Sequence, residues 1–229
     1  MSKFKVVAFC GSKMAGKDTS CDFMKQNYTG ETKSLALAGT IKSVCSDVFH
    51  LDRSFFHNQA LKELPLKTAV TMTENDLIKI FAGFGVDCED SIRNNPEFIT
   101  TYVNPHIGVK CETPRYLLQY VGTEILRPVD DLIHAKSVYR VLDPEAINII
   151  TDMRFLNEFE YFAKNDNVDF VPFYIQNESA EEAAAGDTHA SERDLVKFKG
   201  ECVKIDNNAS LEVLRNTVVT KMKEFDIFN

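Results

Sequence analysis

Between positions 11 and 19 the chain reads Gly11-Ser12-Lys13-Met14-Ala15-Gly16-Lys17-Asp18-Thr19. A lysine directly follows the second of two spaced glycines, the G-x-x-x-x-G-K pattern of a phosphate-binding loop. The residue types explain the chemistry. Glycines let the main chain curl until its N–H groups face inward onto phosphate oxygens. A helix starting there adds the positive end of its dipole. Lys17 adds a point charge for the β- and γ-phosphates of a nucleoside triphosphate. The next position ordinarily holds Ser or Thr, whose hydroxyl meets magnesium. Here it is Asp18, followed by Thr19. These two are the expected magnesium contacts, directly or through water, and Gly11, Lys13, Ala15 and Gly16 join Lys17 in holding the triphosphate.

A second group follows the apolar run Ile147 to Thr151, which ends at Asp152 and leads to Met153-Arg154. Arg154 lies just past the carboxyl end of a strand, where ligands gather in open α/β sheets. A guanidinium there suits a phosphate clamp; the plain alternative is a surface pair with Glu158. Asp152 either orients the water shell of magnesium, holds Arg154, or caps a helix. Lys42, near a helix start, is placed to reach a phosphate or is simply solvated. Gln119 and Thr123 are four apart, on one helix face. Asn207, in a turn after the last strand, flanks a base or only makes the turn. His50, His57, His106 and His134 show no metal spacing.

The elements that must position these groups alternate. Residues 4–10 read as a buried strand, and 17 to about 26 as a helix. Residues 33–38 are a second strand. Ile41, Val44, Cys45, Val48 and Phe49 mark an amphipathic helix. The stretch 50–112 reads as an insertion with one helix near 73–82. Helices follow Pro114 and Pro128. Strands at 147–151, 169–175 and 202–205 and a closing helix over 209–225 complete the chain. Pro172 places the strand at 169–175 at an edge or a bulge. Residues 177–194 read as an exposed mobile segment. Strand–helix alternation implies a parallel sheet covered on both faces, in one domain with an insertion and a lid.

Composition narrows the class. The chain has 229 residues, 26 Lys plus Arg against 34 Asp plus Glu, and a formal charge of −8. An apolar content of 44% excludes disorder throughout. The acidic balance argues against nucleic acid as a partner. Six cysteines without a C-x-x-C pair read as reduced core thiols rather than a zinc or disulfide framework. The short apolar run before Gly11 is no signal peptide, and no run reaches a membrane span. A cytoplasmic protein without membrane partners is the expectation. No Asn-Lys-x-Asp string reads guanine, and the 147–151 strand does not end in the Asp-Glu of a motor-type ATPase.

Beyond the loop, several stretches resemble the deoxynucleoside monophosphate kinases of tailed bacteriophages. These are the loop itself with its unusual Asp18, Leu37-Ala-Gly39-Thr-Ile-Lys42, Arg115 to Glu124, Asp152-Met-Arg154-Phe-Leu-Asn157-Glu158, and Thr188-His189-Ala-Ser191-Glu192. The resemblance implies a P-loop kinase three-layer α/β sandwich: a five-stranded parallel sheet, a helical monophosphate-binding insertion (about 50–112) and a lid (about 177–199). It implies transfer of the γ-phosphate of magnesium-bound ATP to a deoxynucleoside 5′-monophosphate (dNMP), giving dNDP for DNA precursor synthesis in a host cytoplasm. Lys17, Arg154 and Asp152 would be catalytic, with Asn207 beside ATP. Gly39, Lys42, Lys67, Gln119, Gly122, Thr123, Arg154 and Glu158 would bind the dNMP. Thr188, His189 and Glu192 would belong to the lid. A homodimer is compatible with this reading. Two rivals are a P-loop kinase for another phosphomonoester, of dephospho-coenzyme A or phosphomevalonate type, and a nucleotide-binding regulatory module without turnover, which the Asp18 departure keeps open.

Overall fold

The computed structural model describes residues 3–184, 194–195 and 197–228. The chain divides into two compact units. Unit 1 joins Met1–Leu37 to Val138–Asn229, and unit 2 is Ala38–Ser137.

Unit 1 is built on a five-stranded, all-parallel sheet. Its strands are β1 (Phe4–Cys10), β2 (Thr32–Leu35), β5 (Ile147–Ile150), β6 (Val168–Gln176) and β7 (Val203–Asp206), in spatial order β2-β5-β1-β6-β7. Side chains alternate between the two faces, as the pleat requires. Val7, Phe9, Ile147, Ile149, Phe173, Ile175 and Ile205 share one face with Cys21 and Met24 of helix α1 (Lys17–Asn27) and with Leu214, Val218 and Met222 of the closing helix (Leu211–Glu224). On the other face Phe170 of β6 meets Phe159 and Phe162 from a helix over Leu156–Ala163, at ring separations of 5.5 and 6.0 Å. The fold is therefore the expected three-layer α/β sandwich. β1 is the central strand, so the loop after it opens at the carboxyl edge, flanked by β5 and β6.

β6 departs from its expected place. It lies inside the sheet, between β1 and β7. Pro172 is tolerated because β7 begins pairing only opposite Phe173, so beside Pro172 that flank has no ladder to donate to. The segment expected to be mobile from residue 177 instead starts as a helix, Glu178–Ala184, with Ala180 buried.

Unit 2 takes in the expected insertion and also the elements on either side of it. In chain order it contains α2 (Gly39–Phe49), α3 (Ser54–His57), α4 (Gln59–Glu63), β3 (Val70–Thr71), α5 (Glu74–Gly83), α6 (Glu89–Arg93), α7 (Pro96–Phe98), a π-helical turn (Ile99–Val103), β4 (Lys110–Cys111) and α8 (Pro114–Gln119). α8 continues as a π-helix, Tyr120–Leu126, and most of α9 (Ile133–Tyr139) follows. β3 and β4 pair as a small antiparallel ladder. Thr73 and Asp76 cap α5 reciprocally, and Thr113 caps α8 ahead of Pro114. Its core gathers Ile41, Cys45, Phe56, Leu77, Phe81, Leu117 and Val121.

Unit 1 also contains α10 (Leu156–Ala163), α11 (Glu178–Ala184) and α12 (Leu211–Glu224). Among the described residues no helix is long and apolar enough to cross a membrane. All six cysteines are free thiols, and only Cys88 is exposed.

Candidate functional site

The loop between β1 and α1 has the conformation its glycines imply. Gly11 stands at φ 143, Met14 at 65 and Gly16 at 99. A Cβ on Gly11 would lie 2.7 Å from the carbonyl oxygen of Ile175, and one on Gly16 would lie 2.5 Å from Nδ2 of Asn207. Both glycines are required by backbone angle and by close approach. Ala15 is buried, its N–H donating to the carbonyl of Ser12 at 3.1 Å. The Lys17 ammonium curls back over the loop and donates to the carbonyls of Gly11 and Ser12 at 2.8 and 2.7 Å. No side chain caps α1, whose N-cap is Gly16 itself. An anion at the helix start would thus meet main-chain donors and one cation. Lys13 is exposed, as is Asp18 in the first turn of α1, and Thr19 is half-buried. A carboxylate and a hydroxyl there are hard oxygen donors of the kind magnesium takes while keeping its waters and phosphate oxygens.

Asn207 comes to this loop from the turn after β7. Its Nδ2 donates to the carbonyl of Ala15 at 2.8 Å. The sequence offered it to a base or to a plain turn, and the contact found is with the loop itself.

The segment after β5 is pinned at two points. Asp152 does not cap a helix: its Oδ1 accepts the N–H of Leu37 at 2.7 Å, tying the chain just past β5 to the chain just past β2. Glu158, in the first turn of α10, accepts the N–H groups of Phe155 and Arg154 at 3.2 and 3.4 Å. Glu158 is buried, 3% exposed, so its carboxylate serves the helix start rather than standing open to a ligand. Arg154 sits between these anchors, half-exposed. Beneath the loop, the Cys10 thiol is held well above the ordinary thiol range by its hydrogen bond with Cys202 and by burial, with Lys17 opposing. A thiol so placed is neutral and no nucleophile.

Unit 2 holds a different arrangement. Lys42 on α2, Lys62 on α4 and Arg115 on α8 are all half-buried, and α8 packs on α2, α3 and α4. Burial depresses the Lys62 ammonium pKa, with Lys42 and Arg115 adding to the shift and Glu63 opposing it. His57 on α3 is likewise lowered, by burial first and then by Lys42, Lys62 and Arg53. Glu63 pairs with Arg115 and Asp47 with Arg53 at 3.8 Å. Among the described residues Lys42 and Lys62 have no ion-pair partner. Positive charge gathered this way raises the local potential for an anion.

Lys67 is exposed. It lines a cavity of about 430 Å³ with Phe49, Leu51, Phe55 and Leu66, and it is not among the cations acting on Lys62. Gly39 opens α2. Gly122 is buried, and a Cβ there would lie 3.1 Å from Cδ1 of Ile41, so its smallness serves the packing of α2 against the π-helix. Gln119 and Thr123 are both exposed. The chain there winds i→i+5, so four-residue spacing no longer places them on one face by itself. Thr188, His189 and Glu192 lie outside the described residues.

Lys62 and Arg115 were not singled out as site residues from the sequence. They are far apart along the chain, and no local motif joins them to Lys42. Only the packing of four helices brings them together.

No family model matches the chain. A deoxynucleoside-5′-monophosphate kinase of Escherichia phage T5 is 26% identical over 243 aligned positions, covering 91% of this chain and 94% of that protein. The chain resembles viral deoxynucleoside monophosphate kinases. A protein of Acanthamoeba polyphaga mimivirus, provisionally assigned as a deoxynucleotide monophosphate kinase, is 30% identical over 122 residues. That match spans 47% of this chain and 60% of the mimivirus protein. Among solved structures, TT1252 from Thermus thermophilus covers 97% of this chain and 98% of its own at 12% identity and a TM-score of 0.39.

Proposed function

We propose that the protein is a nucleotide kinase that moves the γ-phosphate of magnesium-bound ATP to a deoxynucleoside 5′-monophosphate, releasing dNDP and ADP. The observation that carries this reading is the loop from Gly11 to Lys17: curled main-chain donors at an uncapped helix start, with an ammonium resting on loop carbonyls. Similarity to the phage T5 protein over most of both chains supports the choice of acceptor.

The acceptor in such a reaction is already a phosphate oxyanion and needs no strong general base. The difficulty is bringing two anions into line and spreading the charge that develops. Lys17 exchanges its loop carbonyls for the β- and γ-phosphate oxygens. Asp18 and Thr19 meet the magnesium that arrives with ATP. Arg154, its backbone fixed by Glu158, offers a two-pronged donor to the moving phosphoryl group. In unit 2, Lys42, Lys62 and Arg115 take the phosphate of the monophosphate substrate. Asp152 sets the Leu37 peptide, immediately ahead of unit 2.

The test is a coupled ADP-release assay with magnesium-ATP and a panel of deoxy- and ribonucleoside monophosphates. Turnover with deoxynucleotides is the expected result. Turnover only with a non-nucleotide phosphomonoester, or ATP binding without any turnover, would overturn the reading.

A further inference from the structure

Asn207 is wired into the fold on both sides of the loop it touches. Its Nδ2 donates to the Ala15 carbonyl at 2.8 Å. Its main-chain N–H donates to the Gln176 carbonyl at 2.8 Å. Its own carbonyl accepts from Nδ2 of Asn177 at 2.6 Å. Asn177 is itself fixed, because its Oδ1 accepts the N–H of Ala180 in α11 at 2.9 Å. The carboxamide that meets the loop is therefore held by two strand ends and a helix start.

This contact decides which way one peptide faces. In a trans peptide the carbonyl and the N–H point in opposite directions. With the Ala15 carbonyl drawn to Asn207, the N–H of Gly16 turns the other way. This peptide is also among the least constrained in the loop. Gly16 stands at φ 99, and glycine adopts either sign of φ at little cost. Nothing in Gly16 itself stops the Ala15–Gly16 peptide from flipping. A flip would replace an inward donor with an inward carbonyl, which repels phosphate.

We propose that Asn207 is a positioning residue for the donor nucleotide: its carboxamide holds the Ala15–Gly16 peptide in the orientation that presents the Gly16 N–H to a phosphate oxygen. The proposal rests on the reading of the loop as the ATP site. It also explains why position 16 must lack a side chain, since a Cβ there would collide with the Asn207 amide.

The experiment compares the full-length wild type with Asn207→Ala and Asn207→Asp, by calorimetric titration with magnesium-ATP and by ADP release. Asn207→Ala is expected to weaken ATP binding about tenfold, the scale of one lost hydrogen bond and a loosened peptide. The rise should appear in KM for ATP more than in kcat, because the loop grips ground state and transition state alike. Asn207→Asp keeps the shape but loses the donor and sets a carboxylate against the Ala15 carbonyl. The Ala15 carbonyl facing this carboxylate disfavours its charge and raises its pKa above that of a free Asp, so the variant should bind ATP more weakly still at about pH 8 and recover part of the loss by about pH 5, where the protonated fraction donates again. Wild type measured at both values removes the titration of ATP and of Asp206, the neighbouring carboxylate, which accepts from Asn208.

Unchanged ATP affinity in Asn207→Ala overturns the proposal. So does an Asn207→Asp variant that is impaired equally at both pH values, since a merely structural asparagine gives no acid recovery. If Asn207→Ala does not fold, the acid recovery of Asn207→Asp alone decides. A wild type that binds ATP but phosphorylates no nucleotide sinks the kinase reading and leaves the clasp to the binding data. A wild type that binds no ATP sinks both.

Discussion

The glycine loop of unit 1 and the cation cluster of unit 2, the two phosphate sites of the proposed reaction, are built in different ways. The loop offers backbone donors, and the Lys17 ammonium in it rests on two carbonyls at 2.7–2.8 Å. The cluster uses side chains, with Lys42 and Arg115 close enough to Lys62 to add to the depression of its pKa by burial. A backbone site is set by local φ angles and glycine placement. A side-chain site exists only once its helices have packed. The first should tolerate disturbance of distant packing and fail at single glycines or at Lys17. The second should fail with any change that loosens α2, α4 or α8.

Replacing Lys17 with Ala should have the largest effect. Removing the ammonium that rests on the loop carbonyls should lower kcat/KM by at least about 10³-fold, while circular dichroism and thermal unfolding stay close to wild type. Comparable loss of the fold would show that Lys17 serves the loop carbonyls and not a ligand.

Arg154→Ala comes next. A donor to the transferring phosphoryl group is worth about 2.7–4 kcal/mol, so kcat should fall by about 10²–10³-fold with ATP affinity little changed. Unchanged kcat would remove Arg154 from the mechanism and leave unit 1 with a binding role only.

The two units should also part company in acid. His134, in unit 2, is buried, with its pKa pushed down to about 4 by burial first and by Arg127 second, against an ordinary 6.5. Between those values the unfolded chain binds the proton and the folded chain does not. Stability contributed by this group is therefore full above pH 6.5 and falls as pH drops toward 4. The loss approaches about 3 kcal/mol. Urea titrations across that range, wild type against His134→Leu, should show the slope in wild type and its flattening in the variant. Equal slopes would mean that other groups govern acid stability.

The smallest effect should come from Arg115→Ala or Lys62→Ala. Each is expected to raise KM for the monophosphate about tenfold, near 1.4 kcal/mol, without altering ATP affinity. Lys67→Ala, on the rim of the separate cavity, should leave both constants unchanged. A reversed pattern would move the acceptor site to the cavity lined by Phe49 and Phe55.

Legibility followed the same division. β1 was readable to the residue because it is a continuous apolar run ending in glycine, and α1 to within a residue because Gly16 fixes its start. β6 was readable as a strand but not as an interior one. Its place depends on where β7 begins to pair, which Pro172 alone does not reveal. Glu158 was visible as a carboxylate near Arg154, yet its burial at the start of α10 was not. Asn207 shows the limit most clearly. A turn asparagine after a strand is compatible with many partners, and only the sheet order, with β6 between β1 and β7, carries it to Ala15.

By itself the sequence determined the alternation of strands and helices and the glycine-set curl of the loop. Both rest on near neighbours: periodicity, glycine angles and one lysine after a turn. Tertiary structure alone decided that Lys62 and Arg115 stand with Lys42, that Lys67 lines a cavity with Phe49 and Phe55, and that Asn207 grips the loop. Those contacts join residues far apart in the chain. The free energy that unites them comes from burying helix and sheet faces, to which the charged and amide groups themselves contribute little.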